Sequence, residues 1–167
     1  MKHSLKTNLL FFILATGITF AIYSCGSDTV TNTTTPPDAG TISGTITFVD
    51  TTRVYSGGYY DISAYSSWPP AGPPSASDTI DITKSGNVYT GTYQLKGLTG
   101  GGAYYLAAAW IKVPYGPGSV YVLGMNGCDT VETCYNTPST VTLPSNEGLA
   151  NINFKSFIDT AKTHVRF

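Results

Sequence analysis

Histidine, serine and carboxylate are the residue types most able to do chemistry, and in this 167-residue chain they are thinly spread. His3 and His164 stand near opposite ends, and a lone terminal histidine is more often solvated than catalytic. Serine is plentiful, but no Gly-x-Ser-x-Gly elbow occurs, and a serine without a paired base is inert. Asp78 and Asp81 are close enough to suggest the paired carboxylates of glycoside hydrolysis. Three positions apart in a strand, however, they point to opposite faces. Asp129 and Glu132 could chelate a cation weakly; the plainer alternative is a pair of solvated loop acids. Gly100-Gly101-Gly102 has neither a lysine nor phosphate-loop spacing and does not open a helix, which argues against nucleotide binding. The expectation is a non-catalytic protein with no catalytic residue, metal or cofactor; a glycan-processing hydrolase is the alternative, with Asp78 or Asp129 as its acids.

Binding through aromatic rings is the stronger chemical idea. Twelve tyrosines lie in a chain that is 13% aromatic. Sugar faces stack on flat rings held by rigid loops, and protein partners also favour Tyr and Trp anchors. Tyr65 and Trp68 stand at a strand end and in a loop braced by Pro69, Pro70, Pro73 and Pro74. Tyr59 is on the same outward face as Tyr65, and Tyr115 occupies a second loop. Tyr65, Trp68 and Tyr115 are therefore the candidate ligand-binding residues. The alternative is that Trp68 folds back on its prolines to cap an open end of the fold.

The elements that would hold these residues read as strands. Residues 41–48 alternate apolar and small polar types, a period of two with one face turned inward. Residues 58–65 repeat the pattern, with Tyr60, Ile62 and Ala64 inward and Tyr59, Asp61, Ser63 and Tyr65 outward. Residues 78–83 and 88–95 flank Lys84-Ser85-Gly86-Asn87 as a hairpin. The three glycines make a turn, since glycine alone adopts positive φ freely. The run 103–112 behind it is apolar on both faces and so central in a sheet, which makes Tyr104 and Trp110 core residues. Residues 120–123, Val141 with Leu143, and Ala150 with Ile152 and Phe154 complete the set. No segment beyond the N-terminal region sustains a 3.6-residue period. The expected fold is all-β: a single antiparallel β-sandwich of about seven to eight strands. Only 11% of residues are charged, and 18 glycines and 10 prolines fit short strands joined by turns.

The N-terminal 24 residues read as an export signal, with Lys2 and Lys6 ahead of an apolar run from residue 9 to 23 that falls short of the ~20 residues a spanning helix needs. Residues 25–39 form a Thr/Pro-rich tether reaching about 20 Å as a flexible coil, residues 40–156 the sandwich, and 157–167 a tail without assignment. Ile22-Tyr23-Ser24-Cys25 resembles the lipobox of bacterial lipoproteins, which implies lipidation at Cys25 and a membrane contact made by acyl chains. An ordinary secretory signal with an incidental cysteine is the alternative. With Cys25 so assigned, Cys128 and Cys134 remain as a pair, and in an oxidising compartment they would close a short loop worth about 2.4 kcal/mol. A zinc site is the other reading, but His164 is the one further soft ligand, short of four. Loss of Lys2 and Lys6 leaves seven basic against ten acidic residues, near −3, with no basic patch for nucleic acid.

The order of pieces carries a second resemblance. Ser43-Gly44-Thr45-Ile46-Thr47, Tyr60-Asp61-Ile62-Ser63-Ala64-Tyr65, and Tyr93-Gln94-Leu95-Lys96-Gly97-Leu98 running into Ala103-Tyr104-Tyr105-Leu106-Ala107-Ala108 are followed by Val122-Leu123-Gly124 and Ile152-Asn153-Phe154. The whole is similar to the carboxypeptidase regulatory-like domain family, a transthyretin- or prealbumin-like sandwich, over about residues 40–155. The resemblance implies a non-catalytic part in folding, spacing or binding, and some relatives share a fold with starch-binding modules. Where some relatives carry a calcium-type loop, Ile111-Lys112-Val113-Pro114-Tyr115-Gly116-Pro117 has no carboxylate, so no metal site carries over. Five Asp-Thr-apolar or Asp-Thr-Thr triplets, beginning at Asp28, Asp50, Asp78, Asp129 and Asp159, also resemble an O-glycosylation signal of Bacteroidetes-type periplasm. The combined expectation is an exported, lipid-anchored module at the outer membrane, cell surface or periplasmic face. It would contact the membrane through its lipid, and a glycan or an envelope protein through its domain.

Overall fold

Strand β1 (Ile42–Val49) shows how the alternation becomes a core: Ile42, Ile46 and Phe48 are buried while the residues between them stay partly open. A computed structural model of the chain describes residues 35–50, 56–163 and 165–166. After β1 come β2 (Gly58–Tyr65), β3 (Ala76–Ile80), β4 (Thr83–Ser85), β5 (Val88–Leu95), β6 (Ala103–Lys112) and β7 (Val120–Met125). Then β8 (Val141–Thr142), β9 (Phe154–Phe157) and β10 (Val165–Arg166) finish the order. They form a β-sandwich: a four-stranded sheet ordered β4-β5-β1-β9 and a six-stranded sheet ordered β10-β7-β6-β2-β3, with β8 paired to the start of β6.

The core lies between the sheets. Ile62, Leu95, Leu106, Leu123, Leu143 and Ile158 are fully enclosed there with Ile42 and Ile46. Phe48 meets Tyr60 edge to face at 5.5 Å, and Tyr93 meets Phe154 at 6.5 Å. Each buried tyrosine keeps its polar tip satisfied: the Tyr60 hydroxyl donates to the Ile158 carbonyl at 2.6 Å, and that of Tyr93 to Ile152 at 2.6 Å. As expected, Tyr60, Ile62 and Ala64 of β2 face this core, and β6 is central, between β7 and β2. Gly100 is required where it stands, since a Cβ there would lie 2.5 Å from the Ser145 carbonyl oxygen.

Three details differ from the sequence reading. The segment 78–83 is not one strand: β3 pairs with β2 in one sheet and β4 with β5 in the other, so the chain changes sheets at Asp81 and Ile82. The closing strand is Phe154–Phe157, and it lies parallel to β1, the one parallel pairing among the named strands. The tail also has a place. Asp159 Oδ1 accepts from the Ala161 amide at 2.8 Å to start a short 3-10 turn, Thr160–Lys162, and β10 then pairs antiparallel with β7.

Where backbone partners run out along the edges, side chains take over. Asp78 Oδ2 accepts from the Gln94 amide of β5 at 2.7 Å. Asp129 Oδ1 accepts from the Lys155 amide of β9 at 2.8 Å, and Asn153 Oδ1 from the Thr45 amide of β1 at 2.7 Å. Strand edges with free amides invite pairing with another chain, and the two carboxylates close such donors on β5 and β9, while the Asn153 bond lies inside the sheet on β1.

Candidate functional site

The face of the six-stranded sheet turned away from the core has its own, smaller apolar cluster. Alternation along β6 sends Tyr104, Leu106, Ala108 and Trp110 inward and Ala107, Ala109 and Ile111 outward. The outward alanines are short and leave room above the sheet. Two loops and a disulfide fill it. Cys128 and Cys134 are joined, with 5.4 Å between their Cα atoms, which decides between the disulfide and the zinc alternative. Their loop drives Tyr135 against Ala107, Val122 and Met125. The Tyr135 hydroxyl donates to the Asp129 carbonyl at 3.0 Å, so the loop is also tied across itself.

Trp68 covers this cluster from the other side, and its Nε1 donates to the Tyr135 carbonyl at 2.8 Å. Its ring lies edge to face with Tyr65, 6.1 Å between centroids. Tyr65 in turn forms one wall of a cavity of about 460 Å³ with Pro70, Pro73, Pro74, Tyr115 and Val120. The opposite wall, the turn after β6, is pinned at its base. The Val113 amide donates to Gly57 at 2.9 Å, the Ser119 amide to the Gly116 carbonyl at 3.0 Å, and the Gly116 amide to Ser119 Oγ at 2.8 Å. From that turn Tyr115 stands 76% exposed. The sequence candidates thus come together: Tyr65 and Tyr115 line the cavity, and Trp68 braces Tyr65 from behind.

Beside the cavity runs the outward row of β2. Asp61 is only 8% exposed and Ser63 5%, although both occupy the face expected to meet solvent. Ser63 Oγ donates to Asp61 Oδ2 at 2.7 Å. Burial pushes the Asp61 carboxyl up to about 6; the Ser63 bond opposes the shift and the Asp78 charge adds to it. The Tyr65 hydroxyl is also raised, first by burial, against a bond with Ser63, and then by Asp61 and by Tyr115. Asp61, Ser63, Tyr65 and Tyr115 therefore belong to one electrostatic neighbourhood. Asp61 and Ser63 were not among the sequence candidates. The available signal was an acid and a hydroxyl at alternate positions leading to Tyr65; nothing local announced that loops would cover them.

Other candidates lie elsewhere. Asp78 and Asp129 are committed to the edge amides of Gln94 and Lys155. Tyr59 lines a separate cavity of about 330 Å³ with Ile80, Ile82, Lys84 and Tyr89. Among the described residues no group of three or more His, Cys, Asp or Glu side chains gathers as a metal site would require. Of the Asp-Thr triplets, Thr79 is exposed, Thr130 half-buried and Thr160 buried, while Thr29, Thr51 and Thr52 fall outside the described residues. The signal, Cys25, most of the tether and His164 also lie outside them. Compared with protein-family models, curated proteins and solved structures, the chain matches none.

Proposed function

We propose that this chain is an exported, lipid-anchored, non-catalytic binding module of the bacterial envelope, and that carbohydrate is its ligand. The observation that carries the reading is the cavity between Tyr65 and Tyr115: one ring at the end of β2 and one on the internally bonded turn 113–119, with room between them for a sugar. Preformed rings of this kind lose little freedom on binding. Non-catalytic action is supported by the engagement of Asp78 and Asp129 with backbone amides. The same bonds favour binding through the cavity over assembly by strand addition at those edges. The lipobox-like stretch ending at Cys25 and the regulatory-like resemblance support the envelope address.

A glycan array probed with the folded domain tests the ligand class. Binding to a defined set of saccharides, abolished by Tyr115→Ala, is expected; an array blank across neutral and charged sugars overturns it. Metabolic labelling with an alkynyl fatty acid tests the anchor. Incorporation that disappears in Cys25→Ser is expected, and an unlabelled wild-type protein overturns it.

A further inference from the structure

The walls of the Tyr65–Tyr115 cavity are devoid of charge. Residues 66–75 and 113–119, which build them, contain no Lys, Arg, Asp or Glu. Beside them lies Asp61, more than nine-tenths buried and bonded to Ser63, with no basic partner among the described residues. A carboxylate withdrawn from water without a counter-charge is costly to its own fold, and such groups concentrate where a ligand supplies the missing partner. The elements around it offer no cation. Its own strand contributes Ser63 and Tyr65, β3 contributes Asp78 and Thr79, β6 contributes Ala109, and the facing turn contributes Tyr115. Lys112, next to that turn, alternates with Ile111 and so lies on the other side of β6. The faces of Tyr65 and Tyr115 are themselves negative by virtue of their π electrons.

We infer that the cavity selects a sugar bearing a free, protonated amine, with the pyranose against Tyr65 and Tyr115 and the ammonium turned toward the Asp61–Ser63 end of the β2 row. This rests on the carbohydrate reading above and narrows it to amino sugars that are not acetylated. Acetylation would remove the charge and leave the carboxylate a single neutral N–H donor in place of an ammonium. An anionic sugar would be repelled by Asp61.

The test is isothermal titration of the folded domain with a β-1,4-linked glucosamine tetrasaccharide and with its fully N-acetylated counterpart. At pH 7 the free-amine form is expected to bind about tenfold tighter, the size of effect a partly desolvated cation–π and ion-pair contact supplies. Asp61→Asn, which keeps the shape and an acceptor for Ser63, is expected to erase that preference. Tyr115→Ala is expected to weaken both ligands. Asp81→Asn, an exposed acid outside the cavity, should change nothing. Equal affinity for both tetrasaccharides, unaltered in Asp61→Asn, overturns the amine selectivity and leaves carbohydrate binding standing. A loss as large in Asp81→Asn as in Asp61→Asn means diffuse attraction to an acidic protein and also overturns it. Failure of both tetrasaccharides to bind overturns it as well, and the array then shows whether any sugar is taken.

Discussion

The two faces of the six-stranded sheet are built by different rules. Its inner face is written strand by strand: Ile62, Leu106 and Leu123 recur at alternate positions and meet Ile42, Ile46 and Leu95 of the other sheet. Its outer face depends on segments distant in sequence. Trp68, Tyr135 and a disulfide come together over Ala107, Val122 and Met125, with Trp68 held to Tyr135 by a single hydrogen bond. The first face supplies most of the stability because apolar area there is removed from water continuously. The second buries less apolar area and relies on a disulfide and single hydrogen bonds, and it carries the exposed tyrosine, the cavity and the desolvated acid. Under the proposed binding role, stability and recognition fall on opposite sides of one sheet, and a residue on either side can be tested for which task it serves.

The comparison breaks if a truncation in the inner core is mild. Ile62→Ala should cost about 2–5 kcal/mol in denaturant unfolding, the usual penalty for a fully buried aliphatic side chain. Next in size, replacing Cys128 and Cys134 by serine should cost about 2.4 kcal/mol and change near-ultraviolet dichroism from Trp68 and Tyr135 while the far-ultraviolet β signal persists. Asp61→Asn should stabilise by about 1–2 kcal/mol at pH 7. The sign follows from its raised pKa: folding favours the protonated acid. The wild type therefore loses this contribution as pH rises from the ordinary carboxylate range through about 6, and the variant shows no such fall. At pH 4 the two should unfold nearly together. Trp68→Phe, which deletes the bond to the Tyr135 carbonyl, should cost about 1 kcal/mol and weaken ligand binding through Tyr65. Tyr115→Ala should leave stability within about 0.5 kcal/mol while removing binding, which sharpens the division most.

The difference between the faces also explains what could be read in advance. The alternation in β1 and β2 and the two-sided apolar run of β6 disclosed the sandwich, because burial between sheets imposes a period of two on each strand separately. The division of 78–83 between sheets was hidden: Ile80, Asp81 and Ile82 continue the alternation, and no glycine or proline marks the crossing. The parallel neighbour of β1 was hidden too, since alternation says which face is buried and not which strand lies alongside. Tyr65 and Tyr115 were legible as outward aromatics, Tyr65 at a strand end and Tyr115 beside Pro114. Their closeness was not, because it joins positions 65 and 115, nor was the bond of Trp68 to Tyr135, which spans 67 positions, nor the burial of Asp61 and Ser63, which nothing in the local pattern of β2 marks.

The carboxylate oxygens of Asp78 and Asp129 that occupy amides of β5 and β9 bear on life in a crowd. Copies held side by side at high density would find these two donors already taken, so no seam starts from them. Removing one of these oxygens would leave the monomer folded and make its neighbours dangerous.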